Sequence, residues 1–379
     1  MFTPLRFQSS LAAGGLALMP FVLMQLTFPH AGKLITVHDV GSAGLDVGRM
    51  SLVAVMAVAT IFHLALTFSS TRGLAIWLAD RRSAREFISD PKKNSAIFSP
   101  AISLGMTINV LLGPVAFFVT TGGWSTAPQL ASFAFFIYVL LWAALAGLSA
   151  FAVRTWFSRP LASTDLNFVW LLDVFAWAMA ALAGSSIAAA SSSALVATLA
   201  TVLTVASAAV GLAIYAVKGA LLLSALLRQR SLPADSLQPA FFVTVPINCL
   251  FGVAAFKVSR PFDHLMGTHT SGVALSALLV LFAAAAVWTV GCAIAVRGWF
   301  LRAFPRPDFY PTQWGLVCLF VGLEVLALYT HANYAPHPLW ISFAYASTAA
   351  ATGVYALVFA KFAGMYTARP VAVPSRPTV

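Results

Sequence analysis

The chain has 379 residues, of which 9% are charged and 60% apolar, with a mean hydropathy of +0.89. A soluble domain carries roughly 25% charged residues, so a soluble multidomain protein is excluded. The net charge of +11 would suit a nucleic-acid binder, but its placement along the chain gives it another meaning. A spanning helix needs about 20 mostly apolar residues, and ten segments qualify: 8–29, 50–72, 101–120, 130–151, 168–190, 194–217, 240–258, 273–296, 314–334 and 339–360. The first follows a single arginine and has no A-x-A cleavage site after it, so it reads as a spanning helix and not a signal peptide. Only Ser191, Ser192 and Ser193 divide the fifth from the sixth. The longest polar stretch runs from Asp80 to Lys93, and the tail after Lys361 is short and rich in proline.

Lys and Arg set the orientation, because they accumulate in cytoplasmic loops. With the N-terminus inside, eighteen of the 22 basic residues fall on the cytoplasmic side, Arg81, Arg82, Arg85, Lys92 and Lys93 among them. The other four, Lys33, Arg49, Lys257 and Arg260, fall outside. Both termini are therefore expected in the cytoplasm. The basic excess is a topology signal, and a nucleic-acid partner loses its support. Cys249, Cys292 and Cys318 all lie in apolar runs and form neither a disulfide framework nor a CxxC site.

The odd-numbered helices differ from the even ones. Helix 1 contains Pro20, helix 3 Asn109 and Pro114, helix 5 Asp173, helix 7 Pro246 and Asn248, and helix 9 Glu324. Even helices carry no internal proline; their strongest polar residues are His63 and Lys218. Proline removes a helical hydrogen bond and kinks the rod. In lipid the freed carbonyl, like an intramembrane acid or amide, belongs against protein or a water-filled cavity. This predicts an all-α integral membrane fold in which five odd helices form an inner ring and five even ones an outer shell.

Several local patterns sit on that frame. Phe62-His63-Leu64 leads through a basic linker to Arg85-Glu86-Phe87, Pro91 and Phe98. Ser163-Thr164-Asp165 precedes helix 5, Leu237-Gln238-Pro239-Ala240 precedes Pro246, and Trp314 opens helix 9, which reaches Ala327-Leu328-Tyr329. Together they resemble the tellurite-resistance/dicarboxylate transporter family, the TehA-like proteins, malate and sulfite permeases and plant slow anion channels. The resemblance covers most of the chain, although the family often has Ser-Thr-His-Pro where this chain has Ser163-Thr164-Asp165. It implies five helical hairpins around a central pore, a homotrimer of separate pores, a bacterial inner-membrane location and a small anion as the solute. It also implies a pore plugged by a helix 9 phenylalanine.

Glu324 lies ten residues past Trp314, about 15 Å at 1.5 Å per residue, or half the hydrocarbon core. An acid at that depth marks a pore-facing functional site by default, with a purely structural hydrogen bond to a neighbouring helix as the alternative. Two registers stand for the plug: counting from Trp314 gives Cys318, while the face shared with Glu324 gives Phe320. Asp173, Asn109 and Asn248 are further candidates for the pore wall, with structural hydrogen bonding as the alternative for each. Lys257 and Arg260 read as cations of the outer mouth or as solvated helix-end charges. Lys218 is expected to snorkel to the inner interface, and His63 to be a satisfied core histidine.

Transport of a small anion (an oxyanion, sulfite, a sulfonate or a C4-dicarboxylate) is the leading expectation. Two acids on presumed pore helices favour coupling to protons. The competing class is a membrane-embedded enzyme or cofactor protein. Haem between helices wants two deep histidines, or one with methionine, and of seven histidines only His63 is deep. Neither a phosphate loop, HExxH nor a nucleophile elbow occurs. No cofactor, no metal and no enzymatic activity are expected.

Overall fold

In a computed structural model the described residues are 2–30, 32–42, 46–91, 93–120, 127–158, 162, 166–229 and 232–367. The Ser163-Thr164-Asp165 motif lies outside them, as do Lys92, Arg159, Arg230 and the tail from 368. Among the described residues ten helices are long and apolar enough to cross a membrane. They are α1 (Pro4–Thr27), α2 (Val47–Ala79), α3 (Asn94–Val119), α4 (Gln129–Ser158), α5 (Phe168–Ala190), α6 (Ala194–Gln229), α7 (Gln238–Met266), α8 (Ser271–Ala295), α9 (Pro311–Asn333) and α10 (Pro338–Met365). The break between α5 and α6 falls at Ser191, whose extended backbone ends α5. The protein is an all-α, multi-pass membrane protein.

The odd helices are the core. Between 61% and 83% of each apolar window in α1, α3, α5, α7 and α9 is buried, against 11–33% in the even helices. Each odd helix packs on the next, α1 on α3, α3 on α5, α5 on α7, α7 on α9, and α9 closes back on α1. The even helices lie outside this ring. α2, α6, α8 and α10 each pack chiefly on the odd helix before them, whereas α4 leans on both α3 and α5. The sequence division into inner and outer helices thus holds.

A shared device opens the five inner helices. Each begins on a short 3-10 segment: Pro4–Arg6, Asn94–Phe98, Phe168–Leu171, Gln238–Val243 and Pro311–Gln313. Proline sits at the start of three of them, where its missing N–H costs nothing. All five N-termini open on one face, and aligned peptide dipoles give each about half a positive charge.

The prolines behave differently from one another. Pro20 lies inside continuous helix. Pro114 sits in a one-turn π segment, Leu111–Val115, which absorbs the lost hydrogen bond. Pro246 is corrected: it occupies the first turn of the α-helical part of α7, Thr244–Met266, and is no kink. There it backs against Gly322 of α9, where an added Cβ would stand 3.3 Å from the Pro246 backbone. The proline inside α7 is Pro261, because the helix runs eight residues past the expected end at 258.

Candidate functional site

A helix repeats its facing every eleven residues, close to three full turns. At the 3-10 end of the ring a small chamber of about 40 Å³ is walled by Gln8, Phe175, Val243, Pro246, Thr312 and Cys318. It therefore has contributions from α1, α5, α7 and α9. One water needs roughly 10–15 Å³, so the chamber holds a few waters and no hydrated ion. Eleven residues past Phe175 is Ser186; eleven past Pro246 is Lys257. The two are joined: Lys257 Nζ donates to Ser186 Oγ at 2.8 Å, and Ser186 Oγ donates to Asn109 Oδ1 at 2.8 Å. Asn109 in turn gives its Nδ2 hydrogen to the Gly105 carbonyl at 3.0 Å. Three inner helices, α7, α5 and α3, thereby meet in one polar layer about 16 Å along the axis from the chamber wall.

Lys257 is half-buried, and among the described residues no carboxylate lies within 4 Å of it. An ammonium has three hydrogens, and Ser186 takes one. Lys257 is also not the helix-end cation that its position suggested. α7 continues nine residues beyond it to Met266, while Arg260 is exposed.

Three of the proposed wall residues face elsewhere. Asp173, two residues from Phe175, is turned by about 200° and points out of the ring to α6. There Lys218 Nζ meets its two carboxylate oxygens at 2.9 and 2.8 Å and donates to the Trp170 carbonyl at 2.7 Å. The Lys218 ammonium also stands over the Trp156 and Trp170 rings at 3.8 and 4.3 Å. The expectation that Lys218 snorkels is overturned: its side chain is 2% exposed and that of Asp173 1%. A carboxylate and two indole faces give the cation more than a long reach to the interface would.

Glu324 likewise turns outward. Its Oε2 accepts from Thr348 of α10 at 2.9 Å, and its buried Oε1 has no partner. Asn248 is 200° from Pro246 and faces a lateral cavity that it lines together with Tyr215 of α6. The four polar residues do not converge on one axis; Asn109 alone joins the inner layer. Even helices hold the partners of Asp173 and Glu324.

On α9, Cys318 lies between Gly322, which faces α7, and Val321, which stands against Gly15 of α1. Cys318 therefore points inward and walls the chamber. Phe320 is turned about 200° from it and packs in a cluster with Leu16, Trp314, Val317 and Tyr355. Phe175 of α5, which sequence reasoning missed, is an aromatic in the chamber wall, and Phe168 is another. The signal that could have found Phe175 is its eleven-residue spacing from Ser186.

His63 is the satisfied histidine expected. It is fully buried, with Nδ1 2.7 Å from the Ser10 carbonyl of α1 and Nε2 3.0 Å from Thr107 Oγ1 of α3. Two more bonds knit α1 to α3, Gln8 to Ser99 at 3.1 Å and Ser10 to Ser103 at 2.6 Å. The chain matches no protein-family model and no curated protein sequence.

Proposed function

We propose that the protein carries a small anion across the membrane along the axis of the α1–α3–α5–α7–α9 ring, as the resemblance to the tellurite-resistance/dicarboxylate transporter family implies. The observation that carries this reading is Lys257: a cation on the chamber-facing side of α7, with no carboxylate beside it and two ammonium hydrogens uncommitted. A charged side chain within a membrane is costly, by about 2.5–3.5 kcal/mol at a helix centre on insertion scales and by less toward the ends. An anion alongside it offsets that cost. Ser186 and Asn109 fix the ammonium in place, and the five helix N-termini make the entry face attractive to the same sign of charge. Phe175 and Cys318 close the chamber below, so passage requires Phe175 to swing aside. In this reading the protein is a transporter and not an enzyme, each chain of a homotrimer has its own passage, and the home is a bacterial inner membrane.

The test is flux into proteoliposomes for sulfite, a C4-dicarboxylate, nitrate and chloride, with and without a pH gradient. Lys257→Met keeps the aliphatic stem and removes the charge. It is expected to lower flux of the preferred anion at least about tenfold, the effect of roughly 1.4 kcal/mol, while Lys257→Arg retains part of it. Equal flux through the Met variant and the unaltered protein overturns the reading.

A further inference from the structure

The side of the bundle holds a second cavity, of about 380 Å³, far larger than the axial chamber. Its back wall is α5 and α7, through Phe168, Leu171, Thr244 and Asn248; its sides are α6 and α8, through Gly219 and Trp288 among others. α6 and α8 both pack on α7 but not closely on each other, so the cavity is a groove open sideways between two outer helices. Those outer helices are mostly unburied, 28% and 11% of their apolar windows being covered, and an apolar face of a spanning helix suits hydrocarbon. The groove lies against the first turns of the α-helical part of α7, on the 3-10 side of the bundle.

The groove is not purely apolar. Thr244 and Asn248 are four residues apart on the face of α7 turned away from the ring axis. Within helices of this protein a threonine hydroxyl typically bonds the carbonyl four residues back, as Thr60, Thr107, Thr204 and Thr330 do. Thr244, in the first turn after a 3-10 segment, does not, and its buried Oγ1 is left without a partner. Asn248 is 94% buried and lines the groove beside Tyr215 of α6. An unpartnered buried hydroxyl costs free energy, and a bilayer core offers no water to relieve it.

We propose that this groove is a binding site for one phospholipid of the leaflet at the α7 entry face, its acyl chain lying between α6 and α8 and its ester carbonyl accepting from the Thr244–Asn248–Tyr215 group. The chemistry fits on both counts: hydrocarbon for the Gly219, Ala216, Leu171 and Ala284 walls, and a carbonyl acceptor for hydroxyl and amide donors. Gly219 and Ala284 make the groove by being small. A Cβ at Gly219 would meet only the Tyr215 ring edge, at 4.0 Å, so a larger side chain there fills the groove without disturbing the backbone. This site is separate from Lys257 and stands or falls independently of transport.

Native mass spectrometry of the full chain, extracted in mild detergent and then stripped with excess detergent, reads the occupancy. One phospholipid mass per chain is expected to survive stripping. Gly219→Leu is expected to abolish it, and Asn248→Leu to lower it about tenfold, as loss of a hydrogen-bonded group does. If Gly219→Leu does not give a monodisperse protein, Ala284→Leu fills the groove from the opposite wall and decides the matter. The proposal is overturned if the unaltered protein retains no lipid, if the filled groove retains as much as the open one, or if the mass lost on filling is that of a second copy of the chain.

Discussion

Among the described residues Asp173 and Lys218 form the most buried ion pair, and they show what a residue in this bundle is for when it faces outward from the ring. The pair ties α5 to α6 across the boundary between inner and outer helices, with Trp156 and Trp170 as lids over the ammonium. Burying two charges costs several kcal/mol each, and their attraction repays it only when both are present. Lys218→Met alone leaves a carboxylate in a dry site and is expected to cost about 3–5 kcal/mol, as is Asp173→Leu. The double variant replaces the pair with apolar side chains of similar size and is expected to recover most of that loss. Melting temperature in detergent reads all three. Anion flux through the double variant is expected to be unaltered, because the pair faces away from the axis. A double variant that is stable but inactive would show that the pair belongs to the passage.

Each inner helix presents two faces, and the chemistry of the protein depends on which residue occupies which. On α9 the axial face carries Gly315 and Cys318, and the outer face carries Phe320 and Glu324. On α5 the axial face carries Phe175 and Ser186, and the outer face Asp173. Phe175→Ala is therefore expected to raise anion flux severalfold by enlarging the chamber, and Phe320→Ala to leave flux near its original level while lowering stability by less than the about 3–5 kcal/mol of a fully buried Phe→Ala change, since Phe320 is only partly buried. The same proteoliposome assay, paired with thermal melts, separates these outcomes; a leak through Phe320→Ala with Phe175→Ala silent would place the constriction on α9. The distinction between inner and outer helices was legible in the sequence, because proline, amides and acids in lipid need neighbours. The facing of each residue was not. Glu324, Asp173 and Asn248 look alike to that rule whether their neighbour is the axis or an outer helix. Thr348 and Lys218, the partners of Glu324 and Asp173, lie 24 and 45 residues away in sequence, and nothing local announces them. Lys257 was visible but read as lying at the end of α7, which in fact runs on to Met266.

At the scale of the whole molecule the ring is a directional object: five inner helices start on one face with 3-10 turns and end on the other. Which face meets the cytoplasm is a question of charge. The amphipathic segment Arg81–Ser89 after α2 carries Arg81, Arg82 and Arg85 and packs its Phe87 on Trp77 of α2. It belongs to the same face as the 3-10 entries, and so do most of the other loop cations. Positive loops resist translocation, so this face is expected inside the cell and the Lys257 layer nearer the outside. Anions would then meet the helix N-termini from the cytoplasm and the lysine from the exterior. The native cysteines, all buried, give a quiet background for labelling. A cysteine placed at Ser83, on the basic segment, is expected to resist a membrane-impermeant thiol reagent applied to intact cells and to react once the cells are opened. One placed at Thr268, exposed in the turn between α7 and α8, is expected to react at once from outside. Labelling of position 83 in intact cells would invert the molecule. It would turn the five N-termini toward the exterior and make them, in place of Lys257, the first positive field an incoming anion meets.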